Sequence, residues 1–176
     1  MIAPTSTLTD VAFAVCTALD DAGVTAVLTG GSAATFYAPE AYQSVDLDFV
    51  ITMNASRQGH DVLTALGFVE AGGVHRHPKT RFTLDFPRGP LAVGDDTISA
   101  WNTVHRDGEL LHVLSPTDSC RDRLASFLFW NDFSGLEQAL AVARAQAVDL
   151  PLIKSWCRRE RQPQKLDVFE TRLTER

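Results

Sequence analysis

The chain has 176 residues, 45% of them hydrophobic, which is enough for one domain with its own core. Its formal charge of −6 excludes a generally basic, nucleic-acid-coating surface, although a local basic groove stays compatible with it. No stretch approaches the roughly 20 apolar residues that span a bilayer, and residues 1–9 lack a basic start followed by an apolar run, so no membrane partner and a cytoplasmic location are expected.

Residues 8–22 carry Val11, Val15, Ala18, Leu19 and Ala22 on one helical face, and Gly23 follows as a stop. Cys16 falls within this helix; with Cys120 and Cys157 it makes an odd, widely spaced set that reads as reduced packing residues. The β-branched run 25–29 predicts a short strand ending at Gly30-Gly31, and residues 32–37 predict a helix closed by Pro39. A second strand is expected over 46–51, a surface helix over 56–66 with Val62, Leu63 and Leu66 inward, and a third strand over 81–86. His75-x-His77 lacks further zinc ligands at a convincing spacing and reads as a loop near a site entrance. Asp95-Asp96 reads as the acidic start of a helix or a solvated loop. Asp107-Gly108, between two strand-like runs, predicts a hairpin.

From Ser115 the pattern turns helical. Ser115-Pro116-Thr117-Asp118 has the form of a capping box with Pro at the first helical position, and helices are expected over 116–131, 134–146 and 150–159. The fold class expected is α/β (α+β): one domain over 1–176, with a mixed β-sheet core over 1–114, a helical portion over 115–161 and a loose polar tail over 162–176. Trp101, Trp130 and Trp156 read as core or rim residues rather than base-stacking platforms, because no basic and aromatic alternation surrounds them.

The chemistry is carried by acids in apolar strands. Strand alternation puts Asp46 and Asp48 on one face and Leu47, Phe49 and Ile51 on the other. Two carboxylates so close repel, and a hard divalent cation such as Mg²⁺ is the economical partner, since it binds one or two carboxylates together with substrate phosphates. In the third strand Arg81, Thr83 and Asp85 share a face, so Asp85 joins the pair if the two strands are neighbours. Three acidic oxygens around a metal pair suit phosphoryl or nucleotidyl transfer. Gly30 and Gly31 allow close approach of backbone to a ligand, and the following helix offers free N–H groups to a triphosphate.

Strand, Gly-Gly-Ser, helix, then a strand with Asp-x-Asp is an order that resembles the nucleotidyltransferase superfamily of the DNA polymerase beta type. In particular "GGSAATFYAPEAYQSVDLDFVI" looks like the small bacterial branch containing the AbiEii-type toxins, and the resemblance covers about residues 25–86. It implies that Gly30, Gly31 and Ser32 hold the phosphates of an NTP, that Asp46 and Asp48 bind metal, and that Asp85 is the third acid. It also implies two Mg²⁺ ions, with Mn²⁺ as a substitute, and an acceptor hydroxyl on a small molecule, tRNA or protein. The stretch "PTDSCRDRLASF" resembles the helix on which these proteins place a nucleotide-contacting lysine, which makes Arg123 its counterpart; the alternative is a solvated helix whose Arg121, Asp122 and Arg123 balance charge. One departure is Tyr42, which stands where the pattern has a basic residue. Two rival readings remain open: a catalytically weak nucleotide-sensing module with an antitoxin-like protein partner, and a metal-dependent phosphohydrolase.

Overall fold

The computed structural model describes residues 2–54 and 59–175, with only the backbone of His60. The first element begins at a complete capping box: the Thr7 hydroxyl accepts from the Asp10 amide at 3.2 Å, and the Asp10 carboxylate accepts from the Thr7 amide at 2.9 Å. Helix α1 (Leu8–Asp21) buries Val11, Phe13, Val15 and Leu19, and ends before Gly23, whose φ of +74° closes the turn into strand β1 (Val24–Thr29). Helix α2 (Gly30–Tyr37) starts at the first glycine, two residues earlier than expected. Strand β2 (Asp46–Asn54) follows. Helix α3 (Gly59–Ala65) covers the described part of the expected helix except Leu66, which lies in the following turn; the expected residues 56–58 lie outside the described residues.

Strands β3 (Val69–Ala71) and β4 (Val74–Arg76) form a hairpin across Gly72-Gly73. This corrects the loop expected around His75: both glycines have positive φ, +65° and +86°, so the pair makes the tight turn itself. Strand β5 (Thr83–Asp85) is the core of the third predicted strand. A two-stranded ribbon, β6 (Ala92–Val93) and β7 (Asp96–Thr97), replaces the helix start or solvated loop expected at Asp95-Asp96. Strands β8 (Asn102–Arg106) and β9 (Glu109–Val113) pair across Asp107-Gly108, with φ of +50° and +84°.

The main sheet is mixed and seven-stranded, in the order β3-β4-β5-β2-β1-β9-β8. β2 runs parallel to β5 and β1 parallel to β9, while the other neighbours are antiparallel. Leu47, Phe49 and Leu84 are completely buried, so the apolar faces of β2 and β5 point into the core as alternation requires.

Helices α4 (Pro116–Trp130), α5 (Phe133–Ala145), α6 (Leu150–Arg159) and α7 (Pro163–Thr174) follow in series. The Ser115 hydroxyl caps α4 by accepting from the Asp118 amide at 3.0 Å, as the sequence implied. α2 packs against α4 and α5, which carries the helical half onto the end of the sheet that holds the glycine turn. The expected loose tail is instead α7: Leu166 and Phe169 are buried, and Lys165 Nζ donates to the Phe127 carbonyl at 3.0 Å. Its apolar residues are few, and their spacing becomes meaningful only when α5 and α6 provide a surface to cover. All three cysteines are buried and free, and Trp156 is core whereas Trp130 is 75% exposed. Among the described residues no helix is long and apolar enough to cross a membrane.

Candidate functional site

β2 and β5 lie side by side, and their register pairs Asp46 with Thr83 and Asp48 with Asp85. Parity along each strand then puts Asp46, Asp48, Thr83 and Asp85 on one side, so the sheet brings the three sequence-predicted acids together. Their environments differ. Asp46 is exposed and accepts a hydrogen bond from the Thr83 hydroxyl. Asp85 is half-buried, and its Oδ1 accepts from the Phe86 amide at 2.8 Å. Asp48 is also half-buried: burial pushes its pKa up to about 6, opposed by the Arg123 charge and reinforced by Asp85, Asp46 and Asp122.

The glycine turn is fastened to β2 at Asp48. The Ser32 hydroxyl donates to the Thr29 carbonyl at 2.7 Å and accepts from the Asp48 amide at 3.2 Å, while the Thr29 hydroxyl donates to the Asp48 carbonyl at 3.3 Å. Ser32 is completely buried, so its side chain organises the turn. Gly30 is left-handed, with φ of +63°, and a Cβ there would collide with the Asp48 carboxylate. A glycine is required at this position on both counts. A Cβ on Gly31 would instead meet Gln138 and Tyr42, each at 3.3 Å, so Gly31 is set by packing. Thr29 provides no side-chain cap for α2, leaving the first N–H groups of the helix without a side-chain acceptor from that position.

Thr29, Gly30 and Asp48 open onto a cavity of about 390 Å³ whose lining also includes Asp122 and Arg123 of α4. Arg123 Nη2 lies 2.7 Å from Asp122, so the guanidinium is held by its neighbour while its charge reaches Asp48. The third side is the stretch after β5, including Pro87, Arg88 and Leu91. Neither this stretch nor Asp122 was singled out from the sequence as part of the site. The available signal was the turn-rich run Pro87-Arg88-Gly89-Pro90 directly after Asp85, since a chain leaving a strand must pass the end of that strand.

Asp46, Asp85, Gly31 and Ser32 do not line this cavity; Asp85 borders a separate hollow of about 480 Å³ with Leu63, His75 and Phe86. His75 and His77 do not form a pair: the His75 ring is set edge-on to Phe86, whereas His77 packs on Phe68 and accepts from the Lys79 amide. Tyr42 stands beside Gly31, its ring 3.3 Å from where a Gly31 Cβ would lie.

Among the described residues no group of three or more His, Cys, Asp and Glu side chains is arranged to hold a metal ion. The donor set at Asp46 and Asp48 nevertheless suits a hard cation of the kind that takes one or two carboxylates and completes its shell with water and phosphate oxygens. Asp48 is desolvated and crowded by like charge, a cost that a cation beside it would relieve. Comparison with family models, with curated proteins and with solved structures finds no match.

Proposed function

We propose that this protein is a metal-dependent nucleotidyltransferase that moves an NMP unit from an NTP to an acceptor hydroxyl. The observation that carries the reading is the pairing of Asp48 with Asp85 on adjacent parallel strands, with the left-handed Gly30 turn seated on Asp48. Asp46 and Asp48 would hold Mg²⁺, or Mn²⁺ in its place. The bound cation would neutralise charge on the phosphates and on the departing pyrophosphate.

The chain's own groups have separable tasks. The backbone N–H groups at the start of α2 receive phosphate oxygens, because Thr29 provides them no side-chain acceptor and the helix end favours an anion. Arg123 offers a guanidinium from α4 in the same cavity, already oriented by Asp122. Asp85, beside Asp48, has one oxygen committed to the Phe86 amide, and its second oxygen is the candidate base for the acceptor hydroxyl.

The test is incubation with each α-labelled NTP and Mg²⁺ or Mn²⁺, scoring pyrophosphate release and label on protein, tRNA or small-molecule acceptors. Metal-dependent pyrophosphate release that disappears in Asp46→Asn/Asp48→Asn supports the reading; equal release by the double variant overturns it. A second reading, a nucleotide-sensing module with a protein partner of the antitoxin kind, is favoured by the engagement of Asp85 with Phe86 and by Tyr42 in place of a basic residue. Tight binding of Mg²⁺-NTP without pyrophosphate release would select it.

A further inference from the structure

The cavity beside Asp48 has one wall that does not belong to the main sheet or to the helices. After β5 the chain runs through Pro87, Arg88 and Pro90, folds into the β6–β7 ribbon, and returns at Ile98. This strap is held firmly. Leu91 and Val93 are 5% and 2% exposed, and the Ile98 amide donates to the Leu91 carbonyl at 2.8 Å, closing the loop.

Its far end is held by charge. Asp96 accepts from Arg159 Nη2 at 2.6 Å and from Arg121 Nη2, and Arg121, only 4% exposed, also reaches Asp118 at 2.9 Å. One carboxylate thus ties the strap to α4 and to α6. The connection bears on the site because α4 supplies both Arg121, which fastens the strap, and Arg123, which lines the cavity. Asp96 thus fastens the strap to the helix that carries Arg123, from a position outside the cavity lining.

Arg88 is the cation that the strap brings to this cavity, at the border it shares with the hollow beside Asp85, and it is exposed on a segment stiffened by Pro87 and Pro90, whose φ angles are fixed by their rings. A guanidinium presented on an anchored segment loses less freedom on gripping an anion than one on a loose loop. We infer that the strap is a fixed wall presenting Arg88 to the phosphates of the bound nucleotide in the cavity that Arg123 also lines, with Asp96 as its positioning residue. The inference rests on the nucleotide reading and adds a specificity determinant to it: two guanidiniums lining one cavity favour a polyphosphate chain over a single phosphate.

The experiment uses the full chain, with Mg²⁺-ATP and inorganic tripolyphosphate as probes in calorimetry, and amide hydrogen exchange as the structural readout. Arg88→Ala should weaken both probes by about tenfold with strap exchange unchanged, the scale of one charge-assisted contact. Asp96→Asn should speed exchange at residues 91–98 and weaken both probes, and Asp96→Glu should recover part of each. Arg106→Ala, which breaks the ion pair with Asp10 remote from the cavity lining, should alter neither. Wild-type affinity in Arg88→Ala, or faster strap exchange in Asp96→Asn with affinity unchanged, overturns the inference, as does absence of binding by the wild-type chain. If the variants lose tripolyphosphate as expected but the wild type shows no NMP transfer, the strap stands and the transferase reading falls. NMP transfer by the wild type beside unaltered binding in Arg88→Ala gives the reverse.

Discussion

Gly30 stands directly against Asp48: its backbone is left-handed, and the space a side chain would need is filled by the Asp48 carboxylate. Gly30→Ala is therefore expected to cost about 1–2 kcal/mol for the left-handed conformation alone, and more as Asp48 is displaced. Urea unfolding of the two proteins at neutral pH measures the difference. A variant as stable as the wild type would show that the turn can relax, and would remove the steric link between the turn and the acid.

Asp48 also dictates a pH dependence. Its folded pKa of about 6 lies above the ordinary 3.8, so the native state binds this proton more tightly than the unfolded chain. The resulting stabilisation is complete below about pH 3.8 and is lost as pH rises through about 6. Asp48→Asn, which cannot ionise, should gain on the wild type across that window and then hold a constant advantage. After allowance for partial exposure, the gain should be on the order of 1–2 kcal/mol. Denaturation from pH 4 to 7.5 in the presence of a chelator checks this, and parallel curves for the two proteins would contradict it.

Asp85 should separate binding from chemistry. Asp85→Asn is expected to leave Mg²⁺-ATP affinity near the wild-type value while slowing transfer by about 10²- to 10⁴-fold, the range for loss of a general base. Calorimetry beside a single-turnover assay distinguishes the cases. A loss of nucleotide affinity equal to that of Asp48→Asn would make Asp85 a primary ligand instead.

Phe169, completely buried, is the anchor of α7. Phe169→Ala should destabilise the fold by about 3–5 kcal/mol, as for other large core truncations. Ending the chain after Gln162 should also lower the unfolding midpoint, because it strips Leu166 and Phe169 from the core and Lys165 from the Phe127 carbonyl at the end of α4. An unchanged midpoint in both variants would return this segment to the role of a loose tail.

The elements that were legible in the sequence are those specified by local chemistry. Ser115 announces a helix start because a hydroxyl within reach of a nearby amide needs no distant partner, and Asp107-Gly108 announces a hairpin because the turn needs two left-handed residues. Strand parity put Asp46 and Asp48 on one face for the same reason. Whether Asp85 stood beside them depended on β5 pairing with β2, a contact across 37 residues of chain between Asp48 and Asp85 that only the assembled sheet decides. The role of Ser32 within the turn, the burial of Arg121 and the anchoring of Asp96 likewise depend on partners remote in sequence, and so does α7. The sequence by itself determined which residue types could do metal and phosphate chemistry, because valence and charge are local properties. The tertiary structure decided which of them share a cavity, and it put Gly30, Asp48 and Arg123 there with a strap the local pattern had not marked, because the cavity exists only between elements that long-range packing holds apart.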